Sequence, residues 1–81
     1  MTTPLARRQL ERWDDVRIFL AAVRAGSFTA AARVLGTDQS TISRRLAALE
    51  REIGASLFER TRRGPVPTEL ALRLRDDAER V

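Results

Sequence analysis

Apolar side chains recur along this chain at helical intervals, and glycines interrupt them. Trp13, Val16, Phe19, Leu20 and Val23 share one face of a 3.6-residue period, which predicts a helix starting near Trp13 and stopped by Gly26. Asp14 and Asp15 fall in its first turn, where the helix dipole favours acids. Ser27 supplies a capping oxygen for a second, short helix whose inward positions are Phe28, Ala31, Ala32 and Leu35, and Gly36 ends it. Thr37 and Asp38 then form a turn and a cap. Ile42, Leu46, Leu49 and Ile53 mark a third helix at offsets of 4, 7 and 11, closed by Gly54.

The pattern changes after Gly54. Leu57 and Phe58 lead into ERTRRGPVP, where an Arg63-Gly64 turn between short apolar or branched stretches predicts a small hairpin. Pro65 and Pro67 have no N–H to give to a ladder, so the second strand is expected to be a short edge. Thr68 and Glu69 read as the cap and first turn of a last helix, with Leu70, Leu74, Ala78 and Val81 on one stripe. That helix shows no stop signal and reads as unfinished. The first twelve residues hold Pro4, three arginines and only Leu5 and Leu10 as sizeable apolar side chains, and read as a mobile or partly helical extension. The expected organisation is mainly α: an extension over 1–12, a winged helix-turn-helix over 13–67 (three-helix core, small β-hairpin wing), and the start of a linker helix over 68–81.

Composition narrows the chemistry. A chain of 81 residues supports one small core, leaving no room for a ligand-sensing domain or an effector site. Cys and His are absent, which removes the usual zinc ligands, thiol nucleophiles and imidazole bases; no metal, cofactor or catalytic residue is expected. The longest wholly apolar run, Ile18 to Val23, is too short to span a bilayer, and no secretory apolar region opens the chain, so a cytoplasmic location is expected. The net charge is +4, and all fifteen basic residues are Arg. That set suits forked contacts to phosphate and guanine, and it is equally what codon usage in a GC-rich genome produces.

The segment AARVLGTDQSTISRRL fits a short helix, a tight turn and a longer helix, the spacing of a helix-turn-helix. Small Ala31 and Ala32 allow close approach, and Ile42 locks the second helix of the motif onto the first. With Ile42 at the centre of the buried face, Ser40, Arg44, Ala47 and Arg51 project outward, flanked by Thr41 and Ser43. A recognition helix meets base edges with its N-terminal residues, which makes Gln39, Ser40, Thr41, Ser43 and Arg44 the candidate readers. Gln can bond adenine at two points, Arg can do so to guanine, and the Thr methyl can touch thymine. A merely solvated helix face would carry more acids and long amphipathic side chains before Glu50. Arg62 and Arg63 at a hairpin tip are commonplace alone, but behind such a motif they read as a wing reaching the minor groove or its phosphates.

These residues together resemble the N-terminal domain of LysR-type transcriptional regulators. The likeness rests on Gly26-Ser27-Phe28, Ala31-Ala32, Gln39 with Ser43-Arg44, Leu49-Glu50, Gly54, Leu57-Phe58-Glu59-Arg60, Arg63-Gly64 and Thr68-Glu69, and covers residues 13–81. It implies a DNA-binding module working as a homodimer, paired through the linker helix on an interrupted palindrome of double-stranded DNA, and so associated with the nucleoid. It also implies groove-facing roles for Gln39, Ser40, Thr41, Ser43 and Arg44. Ser27 and Thr29 would lie near phosphates and Arg63 at the wing; Arg51, from the outward face of the third helix, and Arg62, from the hairpin tip, are the further expected backbone or wing contacts. Leu70, Leu74, Ala78 and Val81 are the expected dimer stripe. Four positions depart from the usual pattern: Asp38 for Ser, Ser40 for Pro, Pro67 for an aliphatic strand residue and Ala71 for Gly. The competing readings are a winged-helix adaptor for proteins, which should expose Leu, Met or aromatic anchors on the third helix, and a winged helix of another regulator family.

Overall fold

The computed structural model describes residues 4–80, with side chains from residue 13 onward. Four helices and a two-stranded hairpin follow in the order α1 (Pro4–Ala25), α2 (Phe28–Leu35), α3 (Gln39–Ile53), β1 (Phe58–Thr61), β2 (Gly64–Pro67) and α4 (Glu69–Glu79). The helix boundaries sit where local chemistry supplies partners for the free backbone groups at helix ends. Ser27 Oγ accepts from Ala30 N (3.0 Å), Asp38 Oδ1 from Thr41 N (2.8 Å) and Thr68 Oγ1 from Ala71 N (3.2 Å). Gly36 and Gly54 take left-handed angles (φ 71° and 79°) that ordinary residues resist. Around them Thr37 N reaches Ala32 O and the Gly54 and Ala55 amides reach Glu50 O, closing α2 and α3.

One core joins the four helices and β1. Ile18, Phe19 and Ala22 of α1 pack with Phe28, Ala31 and Ala32 of α2, Ile42 and Leu46 of α3, Leu57, Phe58 and Ala71. Phe58 stands edge-on to both Phe28 (centroids 5.4 Å apart) and Phe19 (6.2 Å), so the first residue of the hairpin is an anchor of the helical core. Ala31 and Ala71 are completely buried. Ala71, where Gly is usual, belongs to the packed core.

Three expectations need correction. Helix α1 begins at Pro4, not near Trp13, so residues 4–12 are its opening turns. Its core-facing stripe is also rotated from the expected one. Trp13 is 67% and Val16 38% exposed, while Ile18, Phe19 and Ala22 carry the contact and Leu20 and Val23 are half-buried. The reason is placement: Asp15, one residue before Val16, forms an ion pair with Arg45 of α3 (2.9 Å), which turns the Trp13–Val16 side away from the body. In α3, Ile53 lies at the end of the helix beyond the packed region and is exposed, unlike Ile42 and Leu46.

The hairpin pairs Phe58 with Pro67, Glu59 with Val66, Arg60 with Pro65 and Thr61 with Gly64. In an antiparallel ladder hydrogen-bonded pairs alternate with open ones. Thr68 N donates to Leu57 O (2.9 Å), which continues the bonded parity of the 59–66 and 61–64 pairs. Pro65 and Pro67 therefore occupy open pairs, where a missing N–H costs the ladder nothing.

Candidate nucleic-acid interface

Helix α3 turns Ile42 and Leu46 inward, and its opposite side lies open to solvent. Gln39, Ser40, Ser43, Arg44 and Ala47 line one shallow concavity of about 480 Å³ there. Four of the five expected base readers thus share a surface. Thr41 does not line it: it is half-buried at the helix start, where its N–H and hydroxyl both donate to Asp38 (2.8 and 3.1 Å). Asp38 spends both carboxylate oxygens on Thr41. The backbone hydrogen bond from Thr41 holds the carboxyl below its ordinary value, helped by the Thr41 hydroxyl and by the charge of Arg44. The acid that stands where Ser is usual therefore remains ionised and is turned to its own helix.

Side chains from neighbouring elements hold this surface in place. Thr29 Oγ1 of α2 donates to Gln39 Oε1 (3.1 Å), joining a residue expected near phosphates to one expected on the bases. Arg60 of β1 lies over the Phe28 ring, 5.0 Å from its centroid, and its Nη2 donates to Ser43 Oγ in a long contact of 3.4 Å. Among the described residues Arg44 has no hydrogen-bond or ion-pair partner, so its guanidinium is available to a ligand. Arg51 is exposed one turn after Ala47.

The hairpin tip lies beyond these contacts. Arg62 and Arg63 form its two-residue loop, both exposed. Thr61 Oγ1 donates to Gly64 O (2.8 Å) and accepts from Arg63 N (3.2 Å), while Gly64 takes the positive φ of 113°. The two arginines keep ordinary backbone angles, and the turn is held by Thr61 on one side and glycine on the other.

Sequence reasoning missed the parts that link these pieces. Glu50 Oε2 accepts from both Leu57 N (2.7 Å) and Phe58 N (3.3 Å), tying the last turns of α3 to the root of the hairpin. Thr68 Oγ1 donates to Ser56 O (2.9 Å), securing the start of α4 to the same loop. On α4, Leu70 and Leu74 pack against the protomer's own core, so two of the four expected dimer-stripe residues are partly covered within one copy. Ala78 is half-buried, and Val81 lies outside the described residues. Leu72, on the other side of α4, is exposed.

Three packed helices, a hairpin pinned to the last of them and an open polar face on that helix define a winged helix-turn-helix. The family described as bacterial regulatory helix-turn-helix protein, lysR family, matches residues 13–72, and this chain belongs to it. The chain is 48% identical over 65 residues to the transcriptional activator protein LysR of Escherichia coli (strain K12), covering 80% of this chain and 21% of that protein. It is 46% identical over 57 residues to the mau operon transcriptional activator of Paracoccus denitrificans, covering 70% and 20%. It thus spans about a fifth of the length of these relatives. Among solved structures, the DNA-binding domain of CbnR in complex with DNA superposes with a TM-score of 0.77 at 36% identity, covering 83% of this chain and 77% of that one. The DNA-binding domain of BenM on a benA site gives 0.78 at 34%, covering 83% and 75%. The chain is a LysR-type helix-turn-helix DNA-binding domain. Among the described residues no helix is long and apolar enough to cross a membrane.

Proposed function

We propose that this domain reads double-stranded DNA with α3 laid in the major groove and the Arg62–Arg63 tip on the adjacent minor groove or its phosphates. The observation that carries this is the concave face of α3, where Gln39, Ser40, Ser43 and Arg44 converge with no carboxylate lining it. Gln39, Ser40, Ser43 and Arg44 meet base edges; Thr41 serves the cap and offers at most its methyl. Ser27, Thr29 and Arg51 approach phosphates. Two copies pair through α4 on an interrupted palindrome, using the parts of Leu70, Leu74 and Ala78 that the core leaves open, with Val81 as the next position on that stripe. A two-fold axis then sets the recognition helices on half-sites about one helical turn apart or a multiple of it. The work is regulatory and without catalysis or cofactor, in the cytoplasm on the chromosome.

Selection from a randomised duplex library followed by sedimentation with the enriched site tests this reading. Specific, salt-sensitive two-to-one complexes are expected. Ala78→Glu, at the one described stripe position not packed on the core, should reduce them to one-to-one with an unchanged melting temperature. Failure to enrich any duplex would remove the DNA-reading assignment, and intact two-to-one binding by the variant would remove the α4 pairing.

A further inference from the structure

The hydrogen bonds around the reading face constrain what it can recognise. A glutamine amide can offer a donor or an acceptor, and a serine hydroxyl can do either. In this fold both choices are restricted. Thr29 Oγ1 donates to Gln39 Oε1, which turns the oxygen corner of the planar amide toward α2 and leaves the NH2 corner for the concavity. Arg60 donates to Ser43 Oγ, so the Ser43 oxygen is engaged as an acceptor and its own proton is left to point elsewhere. Arg44 has only donors. The nearest carboxylate, Asp38, is spent on Thr41 and does not line the face. Of the polar side chains lining the concavity, Ser40 has no side-chain partner and keeps its donor and both acceptor positions open.

We infer that the reading face of α3 is polarised as a hydrogen-bond donor surface, and that Thr29 is the positioning residue that fixes the polarity of Gln39. This rests on the DNA-reading assignment and adds the chemistry of the target. In the major groove acceptors are guanine N7 and O6, adenine N7 and thymine O4, whereas the amino groups of cytosine and adenine are donors. Gln39, Ser43 and Arg44 therefore select half-sites by purine N7 and keto oxygens, and none of them reads an amino group. A Gln39 free to present both corners would take adenine through N6 and N7 together. Held by Thr29, it favours guanine or thymine at its position over bidentate adenine.

The test uses the full chain and the best duplex from the library selection, with single-atom changes in the bases. Substituting 7-deazapurines removes N7, and 5-methyl-2-pyrimidinone in place of thymine removes O4. Using 2-aminopurine for adenine and 2-pyrimidinone for cytosine removes the major-groove amino groups. At least one acceptor deletion per half-site should weaken binding about tenfold, while amino deletions change it less than about twofold. An amino deletion with a tenfold effect, or an enriched site indifferent to every acceptor deletion, would overturn the donor-face assignment. Thr29→Val keeps the side-chain shape and loses the hydroxyl. It should lower affinity on all duplexes alike and, separately, shrink the preference at one base pair from about tenfold to about threefold, with adenine gaining; Thr29→Ser should restore it. A Thr29→Val variant with normal circular dichroism and an unchanged base preference would overturn the positioning role. A library that enriches nothing refutes the underlying DNA assignment instead, which a site with the wrong base chemistry does not.

Discussion

Helix α3 and the hairpin tip both present exposed arginine side chains, yet they are built to opposite specifications. On α3 several polar side chains are held by the fold: Gln39 by Thr29, Ser43 by Arg60 and Glu50 by the Leu57 and Phe58 amides, while Asp38 at the cap is held by Thr41 of the same helix. At the tip, the backbone is fastened by Thr61 and Gly64 while the Arg62 and Arg63 side chains have no partner among the described residues. Directional recognition needs donors whose positions are settled before the ligand arrives, because ordering them on binding costs side-chain entropy. Attraction to a uniformly charged phosphate backbone needs no such order, and a mobile guanidinium finds the nearest oxygen. Under the proposed reading of DNA, the contrast assigns sequence selectivity to α3 and the salt-dependent share of affinity to the wing.

Breaking the link between the two regions should have the largest effect. Glu50→Ala leaves the Leu57 and Phe58 amides without their charged acceptor at a half-buried site. The expected loss is about 2 kcal/mol of folding stability, read as a lower urea midpoint. Specific binding should weaken with it even at temperatures where the protein stays folded, because the wing then loses its fixed angle to α3. Glu50→Gln, which keeps one acceptor oxygen, should lie between the two. Full stability in Glu50→Ala would mean that Phe58 packing alone holds the hairpin in place.

The next pair of variants compares the regions directly. Arg44→Ala should cost roughly 1–3 kcal/mol on the specific duplex and flatten discrimination at one or two base pairs, with little effect on unrelated DNA. Arg63→Ala should cost less and act on all sequences alike, lowering the slope of log K against log salt by about one. Binding assays on a specific and a scrambled duplex over a salt series separate the two patterns. If the patterns exchanged, with Arg63 controlling base preference and Arg44 the salt slope, the division between reader and wing would be reversed.

Much of this arrangement was legible in the sequence because its signals are local. Gly26, Gly36 and Gly54 with Ser27, Asp38 and Thr68 set helix boundaries within a few residues of themselves, and the Arg63-Gly64 step located the hairpin tip. The outward face of α3 followed from its period alone. The signals that failed depend on distant partners. Trp13 and Val16 look inward by period, but the Asp15–Arg45 pair sets the roll of α1 the other way. Leu70 and Leu74 look free until the core that covers them is assembled. Thr29 with Gln39, and Glu50 with Leu57, are separated by ten and seven residues, and nothing in either residue type announces the other. The capping box and turn rules reach three or four residues, so such pairs fall beyond their range.

The smallest effect is expected at Asp38, and it bears on whether the reading face changes with acidity. The Thr41 N–H, then its hydroxyl, then Arg44 hold the folded carboxyl below 3.8, so the folded protein binds that proton less readily than the unfolded chain. A lowered pKa means that the charged cap contributes its full stability above the ordinary carboxylate value and loses it as pH falls through the lowered one. Across roughly pH 5 to 8 the cap is constant, and base discrimination should be too, since the chain has no histidine to titrate there. Carbon-detected NMR of the Asp38 carboxyl should give a midpoint below 3.8, with the Thr41 amide shift moving over the same range. Asp38→Asn should keep the cap, because its amide oxygen still accepts from Thr41 N, while abolishing that titration of the Thr41 amide. A midpoint at or above the ordinary value would show that the carboxylate is not committed to Thr41. An uncommitted acid would be free to accept from a base amino group, and the contrast between an ordered donor face and a loose basic wing would then fail at its first residue.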